Sequence, residues 1–104
     1  MGKPFFETRG DVQEAIDMTF YMAGEGRRLF GVTTPSEMQN KFDMTIRQSL
    51  GVCSFITPWN FPLVTAVSKI TPALMMGNTA VVKPPSCAPL TVLKLGELFV
   101  EAGF

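Results

Sequence analysis

Residues 52–62 read Val-Cys-Ser-Phe-Ile-Thr-Pro-Trp-Asn-Phe-Pro, a run rich in β-formers that leads into an uncharged amide held between two prolines. Pro58 and Pro62 each fix φ near about −65° and lack an N–H, so neither belongs inside a sheet ladder or a helix interior. Pro62 suits the first position of a helix, where its missing N–H would have no partner anyway. The chain is therefore expected to leave a strand, turn sharply at Asn60 and enter a helix. The nearly continuous apolar run of residues 52–56 is of the kind found in strands buried on both faces.

The expected helix takes in Leu63, Val64, Ala66, Val67, Ile70, Ala73, Leu74 and Met75, and ends near Gly77-Asn78, where a left-handed cap is easily formed. Pro72 lies inside this pattern and should kink it. Thr79 to Val82 make a second short strand, closed by Lys83-Pro84-Pro85. From Pro89 to Ala102, Leu90, Leu93, Leu95, Leu98 and Phe99 mark the apolar side of another helix. The order β, α, β, α is that of a right-handed parallel crossover unit. The fold class is α/β, with residues 51–104 supplying part of an open parallel sheet with flanking helices.

Residues 1–50 read as a helix and an edge strand leading into that domain. Val12, Ala15, Ile16, Phe20, Ala23 and Leu29 recur at mostly helical intervals from Asp11 to about Phe30, which predicts one buried stripe. Asp11 is expected as N-cap, with Glu14 completing a capping box and Gly31 as the stop. Residues 32–42 carry turn chemistry. Phe42, Met44 and Ile46 then alternate with Asp43, Thr45 and Arg47, the pattern of a half-exposed strand.

Composition narrows the function. With 104 residues, the chain has room for one modest core. Nine basic residues balance nine acidic ones, so no net field favours nucleic acid or an anionic membrane. Apolar stretches are cut well short of the roughly 20 residues that span a bilayer, and the first residues do not resemble a signal peptide. A cytoplasmic setting is the expectation. There is no histidine, which removes the commonest metal ligand and the usual general base for a nucleophilic pair. Asp11, Glu14, Asp17, Glu25 and Glu101 read as solvated helix faces, so no metal site is expected.

Chemistry can gather where the strands end. In a parallel crossover both carboxyl ends lie on one side of the sheet, which brings Asn60 and Lys83 to the rim of one expected crevice. An asparagine amide can donate to an oxygen on which negative charge develops. A lysine can bond sugar hydroxyls or balance a phosphate. Each also has a bland account: Asn60 can simply close its own turn, and Lys83 can be a solvated strand terminus. Spacing alone does not separate these.

The motifs do more together than singly. ITPWNFP (56–62), PAL and GNT within 72–79, VVKP (81–84), PLT (89–91) and EAGF (101–104) follow one another in order. In this the chain resembles the start of the Rossmann-like coenzyme-binding domain of the NAD(P)-dependent aldehyde dehydrogenase superfamily. GKP at 2–4, the DV pair at 11–12 and the helix through YMAG resemble the segment before that domain, so the likeness covers the whole chain. The resemblance implies that Asn60 stabilises the oxyanion formed as the aldehyde is attacked. Ile56, Thr57, Pro58 and Trp59 would line the coenzyme groove. Lys83 would contact the adenosine ribose, with Pro84 shaping the same turn. Ser86 stands where many NAD-preferring members carry a glutamate; without that carboxylate a 2′-phosphate is not repelled, so the cofactor is NAD or NADP.

The resemblance further implies that the nucleophilic cysteine, the general-base glutamate and the phosphate-binding turn lie beyond Phe104. Cys53 and Cys87 match none of these positions. On this reading the chain is an internal fragment of an enzyme that oxidises a small-molecule aldehyde to an acid, inactive alone and part of a homo-oligomer when complete. The alternative is a non-catalytic truncated interaction or oligomerisation module built on the helix of residues 11–30 and the strand at 42–47.

Overall fold

The computed structural model describes residues 1–104 as three helices and two small sheets. Helix α1 spans Phe5–Glu25, followed by β1 (Thr33–Pro35), β2 (Phe42–Met44), β3 (Val52–Ile56), α2 (Val64–Met75), β4 (Thr79–Lys83) and α3 (Leu90–Glu101). β3 and β4 are parallel and in register, with Val52 opposite Thr79 and Ile56 opposite Lys83. The α2 crossover between them is the predicted unit.

The core is small and one-sided. Ala66 and Ile70 of α2 meet Val92 of α3, with Phe55, Ala80 and Val82 of the strands, Leu74, Leu95 and Phe99 packed around them. Period two puts Cys53, Phe55, Ala80 and Val82 on the helix side, where they are half-buried. Val52, Ile56 and Val81 lie on a face that nothing in the chain covers, with Val52 74% exposed. Both helix ends of this unit reverse through a glycine at positive φ. Past α2, Gly77 (φ 79°) donates to Leu74 and Asn78 to Ala73; past α3, Gly103 (φ 94°) donates to Val100 and Phe104 to Phe99. These are paired Schellman bonds, and at α3 the accompanying apolar contact is the edge-on stacking of Phe99 and Phe104 at 5.6 Å.

Asn78 does more than end a helix. Its Oδ1 accepts from the N–H groups of Leu50 (2.6 Å) and Gly51 (3.0 Å), while its Nδ2 donates to Ala73 O (3.0 Å). One side chain thus ties the entry of β3 to the exit of α2. Asn78→Ala is expected to lower stability by about 1 kcal/mol, since the freed N–H groups are exposed enough to bond water. The urea unfolding midpoint measures this, and an unchanged midpoint assigns the three bonds no net value.

Helix α1 departs from the reading above. It starts at Phe5, directly after Pro4, and ends at Glu25 with Gly26 beyond it, so Asp11 is no N-cap and Gly31 no stop. Arg28 folds back, its Nε donating to Glu25 Oε1 at 3.0 Å; this bond holds the Glu25 carboxyl below the usual range and raises the guanidinium. The face of α1 turned inward is Thr8, Asp11, Ala15, Met18 and Met22, packed along α2. Val12, Ile16 and Phe20 of the predicted stripe are exposed, Phe20 by 74%. Nor is Asp11 solvated: it is 5% exposed, and its oxygens accept from Leu63 N (3.3 Å) and Val64 N (3.0 Å). It caps α2 from another helix.

The segment between α1 and β3 forms an antiparallel hairpin, β1 with β2, Thr33 opposite Met44. The predicted strand at 42–47 is thus shorter, and part of the expected irregular stretch 32–42 is its partner. At the hairpin base Thr45 N donates to Val32 O (2.8 Å) and Val32 N to Thr45 Oγ1 (2.9 Å). Gly31 lies so close to the Thr45 carbonyl that a Cβ there would overlap it. Every hairpin strand residue is exposed, and the molecule is elongated, 65 × 25 × 24 Å.

Candidate active site

The carboxyl ends of β3 and β4 place three of the predicted residues side by side. Register sets Ile56 against Lys83 on the uncovered face of the sheet, and Thr57 N–H extends the ladder by one bond to Lys83 O (3.4 Å). Thr57 is 4% exposed, and its Oγ1 is buried without a hydrogen-bond partner. Leaving a hydroxyl unpaired inside a protein costs about 1–3 kcal/mol.

Pro58 and Trp59 then carry the chain outward, both exposed. Asn60 follows, also exposed, and its carboxamide takes no part in the hydrogen bonds of the chain, whereas its backbone carbonyl accepts from Lys3 Nζ at 2.7 Å. The N–H₂ group is left free to donate outward. Trp59, Asn60 and Phe61 line a cavity of about 300 Å³ with residues 1–4 and Glu7. Pro62 is buried just ahead of α2. Because Thr65 N donates to Phe61 O (3.1 Å), the helical turn already begins around Pro62, as its missing N–H requires, though the regular helix runs from Val64.

Past β4 the predicted residues diverge. Lys83 is exposed at the strand end, Ser86 is exposed, and Pro84 turns towards α3, lining an apolar groove of about 640 Å³ together with Val82, Leu95 and Phe99. That groove contains neither Asn60 nor Lys83. Cys53 is half-buried and Cys87 exposed, both as free thiols. No three of the chain's acidic or thiol side chains gather as a metal site would require.

The strand-end amide between prolines and the lysine closing the neighbouring parallel strand belong to a chain that is similar to known proteins over its whole length. A sequence profile of the Aldehyde dehydrogenase family matches residues 1–104. The chain belongs to that family. It is 41% identical to the succinate-semialdehyde dehydrogenase (NADP(+)) of Escherichia coli over 102 residues, covering 98% of this chain and 21% of that protein. Human retinaldehyde dehydrogenase 3 is 45% identical over 104 residues, with 99% of this chain and 20% of its own length matched. A crystal structure of betaine aldehyde dehydrogenase from Staphylococcus aureus, a variant in complex with NAD+, superposes with a TM-score of 0.94 at 35% identity, over 99% of this chain and 21% of that one. The chain thus spans about one fifth of the length of the family members it matches, and the α/β architecture is theirs.

Two residues that bond to the Asn60 turn and to the start of α2 escaped the sequence reading. Lys3 and Asp11 both reach the Asn60 turn from α1 or just before it, across 57 and 52 or 53 positions of sequence. A helix-face reading of α1 could only have flagged Asp11 as an acid on the packed side, and nothing local marks Lys3.

Proposed function

We propose that this chain supplies the aldehyde-side amide and the first half of the coenzyme crevice of an aldehyde dehydrogenase, which oxidises an aldehyde to a carboxylic acid with NAD or NADP as hydride acceptor. The observation that carries the reading is the β3–β4 register, which sets Ile56, Thr57 and Lys83 together at one strand end, a few residues before the free Asn60 amide. When bound, the coenzyme supplies the acceptor for the hydride. The residues of this chain orient it and exclude water: Ile56, Pro58 and Trp59 offer apolar surface, the buried Thr57 holds the strand end, and Lys83 with Ser86 offer donors for ribose hydroxyls or a 2′-phosphate. Asn60 donates to the oxygen of the aldehyde carbon as it becomes negative.

The chemistry needs a nucleophile and a base that the family's longer members provide. Neither cysteine here is placed for it, so the chain alone is proposed to be inactive. The exposed hairpin and the Val12, Ile16 and Phe20 stripe of α1 support a homo-oligomer, and the free thiols suit a cytoplasmic setting. The exposed hairpin equally favours the second reading, a non-catalytic interaction module that pairs through its edge strand.

Steady-state coenzyme reduction with a simple aldehyde, measured for a complete dehydrogenase carrying this segment, tests the proposal. Because Ser86 puts no carboxylate at the ribose, NADP⁺ should support turnover within about tenfold of NAD⁺; a preference for NAD⁺ of about 10³ or more excludes the assigned role of Ser86. Turnover by the 104-residue chain alone would contradict the division of labour.

A further inference from the structure

The two prolines fix φ at residues 58 and 62, and Pro62 also narrows the range of Phe61 before it, but the dihedrals of Trp59 and Asn60 are left unrestrained. Something else must hold the middle of the turn. Lys3 does so by two contacts: its ammonium donates to the Asn60 carbonyl at 2.7 Å and lies 3.8 Å from the centroid of the Phe61 ring. A cation bonded to a carbonyl and resting on an aromatic face fixes both the 60–61 peptide plane and the following side chain. Lys3 is itself half-buried and forms no salt bridge, so no carboxylate competes for it. Pro4 and the start of α1 come next in sequence, and Asp11 anchors that helix to Leu63 and Val64 on the far side of the turn.

We propose that Lys3 is a positioning residue: by clamping the Asn60 carbonyl and the Phe61 ring it aims the Asn60 carboxamide at the reacting oxygen. This rests on the reading of Asn60 given above. The side chain of Asn60 has no internal partner, so its direction depends on the backbone that carries it. Freeing that backbone lets the amide swing away from the short, narrow range in which an oxyanion donor is effective, and a misplacement of about 1 Å can cost up to about 10²-fold in rate.

The test has two arms. In a complete dehydrogenase carrying this segment, Lys3→Met is expected to lower kcat about tenfold while the KM values for aldehyde and coenzyme stay within about twofold, and Lys3→Arg, which keeps both the donor and the cation, should recover most of the loss. In an Asn60→Ala background Lys3→Met should cost nothing further, because it acts through the missing amide. An unchanged kcat in Lys3→Met, or a full additional loss in the double variant, overturns the proposal. The second arm needs no turnover. Trp59 is the sole tryptophan of the chain and lines the same cavity as Lys3, so its quenching by acrylamide in the 104-residue chain should rise in Lys3→Met and return to the starting value in Lys3→Arg. Equal quenching in all three rejects the clamp even if the dehydrogenase reading stands; an inactive parent enzyme with the quenching difference intact rejects the dehydrogenase reading and leaves the clamp.

Discussion

Asn60→Ala in a complete dehydrogenase carrying this segment should lower kcat by about 10²- to 10³-fold, corresponding to about 2.7–4 kcal/mol of lost transition-state stabilisation. The size of the effect follows from where the amide sits. Asn60 is solvent-exposed at the strand-end turn, and its carboxamide, unlike its backbone carbonyl, spends no hydrogen bond on its own chain. In the proposed role its N–H₂ would therefore meet a developing negative charge without first breaking an internal contact. The backbone beneath it is restrained by Pro58, Pro62 and Lys3, so little reorganisation is needed at the moment of reaction. The aldehyde KM should change little, since a neutral carbonyl oxygen gains much less from the donor than an oxyanion does. Asn60→Asp should be at least as damaging, because it replaces the donor with a carboxylate that repels the same charge. Single-turnover rates, which isolate the chemical step, decide the matter: a rate within about twofold of the parent would reduce Asn60 to a turn residue.

The part of the fold that was legible is the part punctuated by proline and glycine. Pro58, Pro62, Gly77 and Gly103 act on their own φ and their own N–H, so the limits of β3, α2, β4 and α3 could be read locally to within about two residues. Helix α1 was not legible in the same way. Its packed face holds Thr8 and Asp11 beside Ala15, Met18 and Met22, so it looks partly polar, while the more apolar Val12, Ile16 and Phe20 point outward. Hydrophobic periodicity ranks faces by composition, and here a buried carboxylate reverses the ranking. β1 was missed because its only sheet partner is β2, a tertiary pairing that the turn residues around Pro35 conceal. The placement of residues 56–60 and Lys83 at the two strand ends was legible. The long-range bonds from Lys3 and Asp11 were not, because no spacing rule reaches across more than fifty positions.

The carboxylate of Asp11 supplies the largest stability effect expected outside the small core. Helix α2 begins without a side-chain cap of its own: Leu63 occupies the N-cap position and has no oxygen to offer the first N–H groups. Asp11 fills that gap from α1, accepting from Leu63 N at 3.3 Å and Val64 N at 3.0 Å while 5% exposed. It also sets a negative charge at the positive end of the α2 dipole. Asp11→Ala removes two charge-assisted bonds and that charge together, leaves two half-buried donors unpaired and should destabilise the chain by about 2–3 kcal/mol. Asp11→Asn keeps one acceptor oxygen but loses the charge, and about half of that loss is expected. The urea unfolding midpoints of the three proteins should fall in the order parent, Asn, Ala. Amide exchange at Leu63 and Val64 should quicken by more than the global change alone accounts for, since the first turn of α2 frays locally. If Asn and Ala lose equal stability, the hydrogen bond that Asn keeps contributes nothing and the charge with the second bond carries the effect; if neither loses any, α2 is held by its apolar face alone. Because α2 follows directly from the Asn60 turn, the same variants should also loosen that turn, which makes Asp11 the point where the stability of this chain and the proposed role of Asn60 are tied together.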